Sequence, residues 1–136
     1  MIVHTHSPFA MVFVILGLPI PVYLTARVDE FSCAIQCGGY SPTGNDEIGR
    51  VLVESVSLSP AALLNNHGVF MFGLMEAAVV KVAMMVADFA RTAGYMLQIG
   101  RPEQIPPEMV ERLLQRYAHV YRRDKRDEGN LPGQCE

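Results

Sequence analysis

Ala61-Ala62-Leu63-Leu64-Asn65-Asn66-His67-Gly68-Val69-Phe70-Met71-Phe72 is the stretch on which the fold turns. Two short apolar runs, 61–65 and 69–72, flank Asn66-His67-Gly68, a group rich in turn-forming residues. The arrangement predicts two strands joined by a tight turn, with His67 at a strand end. Gly68 is expected to let the backbone bend sharply and present the His67 ring inward.

After this hairpin, residues 76–97 place apolar side chains at helical spacing on more than one face with few charges between them. That predicts a long helix buried against a sheet or a partner, stopped by Gly100 and Pro102. Pro106-Pro107-Glu108 opens a last helix running to about Tyr117. Before the hairpin, Met1-Ile2-Val3-His4 reads as the middle of a buried core strand. Ser7 as a cap and Pro8 in the first turn predict a helix ending near Gly17. Residues 34–37 form a short strand in this reading, and a helix starts at Thr43, with Asp46 completing a variant capping box, and continues over 47–55. Residues 122–136 are polar, and a solvated or disordered tail is expected there beside a domain spanning 1–121.

A chain of 136 residues is about the size of one domain or part of one. The net charge of −3 leaves no broad basic field, and the cationic run over 122–126 is broken by Asp124, which argues against a nucleic-acid partner. Cys33, Cys37 and Cys135 make an odd set with no disulfide framework, so a reducing, cytoplasmic setting is expected. Residues 9–24 are strongly apolar, but they fall short of the ~20 residues a span needs and contain Gly17, Pro19 and Pro21. They read as a buried helix and connector, with neither a membrane span nor a signal peptide.

His4-Thr5-His6 is an H-x-H pair, and residues two apart on a strand point to the same face, so both imidazoles can converge on one ion. His67 is the natural third donor. Three neutral imidazoles leave a divalent metal an open position, the pattern of catalytic rather than structural zinc, and such a metal acts as a Lewis acid on a carbonyl or hydroxyl. On spacing alone an H-x-H is more often two unrelated histidines. His119 is read as a surface or packing residue, Cys33 and Cys37 as small buried apolar residues, and Met71, Met75, Met84 and Met85 as core filler.

Three segments, Ile2-Val3-His4-Thr5-His6-Ser7-Pro8, Gly39-Tyr40-Ser41-Pro42-Thr43-Gly44 and Asn66-His67-Gly68-Val69-Phe70, resemble signatures of the class II aldolase/adducin family and occur in its order. Ala90-Arg91-Thr92-Ala93, Leu97-Gln98 and the run from Gln115-Arg116-Tyr117 to Val120-Tyr121 look more like L-ribulose-5-phosphate 4-epimerases than fuculose-phosphate aldolases. The resemblance implies an α/β fold, a three-layer α/β/α sandwich around a mostly antiparallel sheet, assembled as a homotetramer with active sites between subunits. It makes His4, His6 and His67 the zinc ligands. It also implies a sugar-phosphate substrate, a pentulose phosphate whose carbon–carbon bond is broken and re-formed on the other carbonyl face. Asp29 and Tyr121 would be the acid/base pair, with Tyr121 reaching in from the adjacent subunit. The expected activity is therefore that of an isomerase. The alternatives are a class II aldolase, a lyase on a related ketose phosphate, and a non-catalytic interaction module of the same fold. Family members carry a long phosphate-binding part before the H-x-H, so the chain is expected to be truncated at its N-terminus, with inactivity of this chain alone kept as an alternative. Arg122-Arg123 stand where the family continues Gly-Gln.

Overall fold

A computed structural model describes residues 1–21, 23–42, 44, 46–56 and 59–116. In chain order the elements are β1 (Ile2–Thr5), α1 (Pro8–Leu16), α2 (Thr25–Phe31), β2 (Cys37–Gly38), α3 (Glu47–Ser55), β3 (Ala61–Leu64), β4 (Gly68–Phe72), α4 (Glu76–Ile99) and α5 (Pro107–Arg116).

The 61–72 stretch forms the expected hairpin, with Leu63 opposite Val69 and Leu64 opposite Gly68. The residue that turns the chain is Asn66, at φ 52°, and Gly68 already lies in β4. Asparagine tolerates the left-handed region better than other non-glycine residues, so the reason first given for Gly68 is corrected. The hairpin tip is pinned from both sides, by Asn66 N–H donating to Val14 O at 3.2 Å and Asn65 N–H donating to Gly38 O at 3.1 Å.

The sheet has the order β1-β4-β3-β2, with β1/β4 and β3/β4 antiparallel and β2/β3 parallel. Its two faces bury different partners because side chains alternate along each strand. Val3, Cys37, Ala61, Leu63, Val69 and Met71 pack into one core with Ala10, Phe13 and Val14 of α1 and Val79, Val82, Val86 and Phe89 of α4. On the opposite face α3 packs against β2 and β3. A Cβ built on Gly38 would collide with Ser55 of α3 and touch Leu64, so Gly38 and Leu64 face α3. Helices on both faces of a mostly antiparallel sheet give the three-layer α/β/α architecture expected.

Local signals explain most helix ends. Pro8 occupies the first turn of α1, although the Ser7 hydroxyl makes no capping bond. At the other end Gly17 is left-handed at φ 64°, with Gly17 N–H donating to Val14 O and Leu18 N–H to Phe13 O, a Schellman closure. For α3 the expected start at Thr43 is corrected to Glu47, with Asp46 at the cap position and no side-chain capping bond. The short strand falls at 37–38 rather than 34–37, and Ile35 instead makes an isolated bridge with Ile20.

Two burial expectations also change. The 1–4 segment is an edge strand with Met1 and Ile2 exposed, because β4 alone flanks it in the sheet. Met71 is fully buried and Met85 packs against the core, but Met75, at the N-cap of α4, and Met84, on its outer side, are 56% and 70% exposed. Among the described residues no helix is long and apolar enough to cross a membrane.

Candidate functional site

The three histidines predicted as ligands come together at one end of the sheet. β1 pairs with β4 so that His4 lies opposite Phe70 and Thr5 opposite Val69. That register carries His6 to the level of Gly68, directly after the turn that holds His67. The His4 ring centroid lies 4.7 Å from that of His6 and 5.1 Å from that of His67. His4 and His6 are exposed and His67 is half-buried, so the cluster opens to solvent.

Hydrogen bonding orients the rings. His4 Nδ1 lies 3.1 Å from Val69 O, a carbonyl that can only accept, so Nδ1 carries the proton. The neutral ring then points the Nε2 lone pair at His6 Nε2, 3.0 Å away. This pairing of a ring N–H with a backbone carbonyl is the usual outer support of a metal-binding imidazole. Two nitrogens bound at ~2.0–2.1 Å to one tetrahedral ion stand roughly 3.3 Å apart, close to the separation seen. Burial pushes the His4 pKa down, the Val69 bond partly offsets this, and His6 and His67 lower it further. The neutral, ligating form is favoured.

Gly68 makes the convergence possible. A Cβ there would lie 2.5 Å from His4 Cε1 and 2.8 Å from His6 Cδ2, closer than side chains pack. The donor set therefore fits a divalent metal of the zinc type, although among the described residues no group of three His, Cys, Asp or Glu side chains is already set at metal-holding spacing.

The other predicted residues are not gathered here. Asp29 lies half-buried on α2, where desolvation and the neighbouring Glu30 raise its pKa and Arg116 of α5 partly offsets them. Among the described residues no hydrogen bond joins Asp29 to the imidazoles. Tyr121, His119, Cys135 and the 122–136 tail lie outside the described residues. Cys33 and Cys37 share no helix, since Cys37 lies in β2, where burial raises its thiol pKa. A depression of about 420 Å³ lined by Tyr95, Met96, Ile99 and Pro102 includes none of the three histidines.

The sequence places Phe70 in a strand run and in the Asn66–Phe70 signature without assigning it a contact with the histidines. It stacks on His4 at 4.3 Å and 28° and lies 5.6 Å from His67. Only the β1/β4 register could have shown this.

The model of the class II aldolase and adducin N-terminal domain matches residues 1–93. The chain belongs to the class II aldolase and adducin family. The 5-methylthioribulose-1-phosphate/5-deoxyribulose-1-phosphate aldolase of Rhodospirillum rubrum is 33% identical over 116 residues, covering 85% of this chain and 52% of that protein. The 5-deoxy-D-ribulose 1-phosphate aldolase of Bacillus thuringiensis is 30% identical over 122 residues, covering 85% of this chain and 54% of that one. The structure of an L-fuculose 1-phosphate aldolase superposes with a TM-score of 0.79 at 20% identity, over 86% of this chain and 55% of the other, which supports the fold. This class II aldolase family chain spans about half the length of these relatives. The expected isomerase activity is overturned, because both curated relatives are named as aldolases, which are lyases, and not as 4-epimerases.

Proposed function

We propose that the chain carries the metal-binding part of an aldolase that cleaves a ketose 1-phosphate, with His4, His6 and His67 as the ligands. The convergence of three imidazoles over Gly68, in a chain of this family, carries the reading. The names of the two curated relatives favour a 5-deoxypentulose 1-phosphate or its methylthio analogue as substrate.

When bound, a zinc-type ion supplies a Lewis acid that polarises substrate oxygen. Val69 O fixes the His4 tautomer, and the absent side chain of Gly68 leaves the rings room to close. Cleavage breaks the C3–C4 bond, takes a proton from the C4 hydroxyl and returns one to C3, releasing dihydroxyacetone phosphate and an aldehyde. Two proton-transfer groups are needed, and the proposal assigns them to Asp29 and Tyr121. A homotetramer, in which Tyr121 reaches a neighbouring site, belongs to the same reading.

The test is elemental analysis of purified protein beside the His4→Ala/His6→Ala double variant, followed by an assay for dihydroxyacetone phosphate from 5-deoxyribulose 1-phosphate. Near-stoichiometric metal lost in the variant, together with product release, supports the whole reading. Folded, metal-free wild type defeats it. Metal without cleavage keeps the ligands and defeats aldolase activity of this chain alone.

A further inference from the structure

Phe70 makes ring contacts with two of the three predicted ligands and cannot itself donate to a metal. It lies in β4 directly across from His4, and on its other side it faces Ala62 of β3. Ala62, Phe70 and His4 thus form one row across three strands on the α3 face of the sheet. Ala62 is fully buried, Phe70 is half-buried and His4 is exposed. The row passes from packed core to open site, and Phe70 stands at the boundary.

Ring geometry gives that position a consequence. The nearly parallel contact with His4 and the tilted contact with His67, at 37°, place two imidazoles against one aromatic residue. Neither imidazole is fixed by burial. His4 has the Val69 carbonyl as a second restraint. For His67, Phe70 and His4 are the ring contacts found among the described residues. The cross-strand contact with His4 and the turn-to-strand contact with His67 each bias a solvent-facing ring toward one rotamer.

We infer that Phe70 is a positioning residue for the metal site, an aromatic floor that holds His4 and His67 in the orientation a shared ion requires. The inference rests on the metal reading above. An aliphatic side chain at this position fills similar volume but lets both rings turn, so the ion meets a less organised ligand set. Changes in the groups that orient ligands typically weaken metal binding ~10–100-fold.

The experiment titrates cobalt(II) into the full 136-residue chain and its Phe70→Leu, Phe70→Met and Phe70→Tyr variants. It reads affinity, the visible d–d spectrum and the melting temperature of the metal-free protein. Phe70→Leu is expected to bind cobalt about 10-fold more weakly with an altered spectrum, and Phe70→Tyr, which keeps the ring, to match wild type in both. Should Phe70→Leu not fold, Phe70→Met decides by the same readouts. Wild type that binds while the folded aliphatic variants match it in affinity and spectrum overturns the role of Phe70 alone. Wild type that binds no cobalt overturns the metal reading and this inference with it.

Discussion

His4 Nε2 and His6 Nε2 face each other across 3.0 Å at the end of β1. With the His4 Nδ1 proton committed to Val69 O, only a His6 N–H or a cation can fill the gap favourably. Replacing either ring by alanine should reduce metal content from about one equivalent per chain to background. Both rings are exposed, so stability should change by no more than ~0.5 kcal/mol. Elemental analysis with thermal melts checks both, and metal retained by His6→Ala would remove that ring from the site.

Gly68→Ala addresses the same cluster from beneath. The new methyl would press on His4 and His6, so the rings or the strand must shift. Overpacking of this kind costs ~1–3 kcal/mol, and metal affinity should fall with it. Melting of the metal-free protein beside a metal titration separates the two effects. Unchanged values in both would show that the rings move aside freely.

The Asp29 pKa is raised mainly by desolvation, so its carboxyl binds a proton more readily in the folded chain than in the unfolded one. A carboxyl whose folded pKa exceeds its unfolded value adds stability below the unfolded pKa of 3.8 and loses it as pH rises through the folded value. Asp29→Asn should therefore be slightly more stable than wild type at pH 7, with the difference vanishing in acid, while aldolase turnover falls. Melts across pH and an activity assay check this. A destabilised variant at pH 7 would point to a favourable role for the charge, with Arg116 the cation that opposes the upward shift.

Methionines of opposite burial should respond differently. Met71, fully buried in β4, should lose ~2–5 kcal/mol on change to alanine. Met84, at 70% exposure on α4, should change by ~0.5 kcal/mol or less. Chemical denaturation of the two variants measures both, and a large loss at Met84 would mean that its face of α4 is covered in solution.

The predicted elements that survived were those written in local chemistry. Pro8 and Gly17 bound α1, Gly100 and Pro102 follow α4, and two apolar runs around Asn66-His67-Gly68 form the β3/β4 hairpin. Expectations moved where local signals were ambiguous. Thr43 and Asp46 both resemble caps in sequence; Thr43 lies outside the described residues, and Asp46, at the cap position of α3, makes no side-chain capping bond. The long apolar pattern of α4 marked a buried helix, but apolar residues on several faces do not show which one meets the core, so the core-filler reading of Met84 fails.

The sequence by itself placed His4 in a strand, with His6 two residues on and just past the strand's end at Thr5, and His67 at a hairpin tip, because side-chain alternation and turn preference act between near neighbours. Only the tertiary structure decided that β1 pairs with β4, some 65 residues away, in the register that sets His4 against Phe70 and His6 over Gly68. A one-residue slip would turn every side chain of β1 to the other face. What prevents the slip is burial of Val3 against the core of α1 and α4, a contact between segments that no local pattern joins.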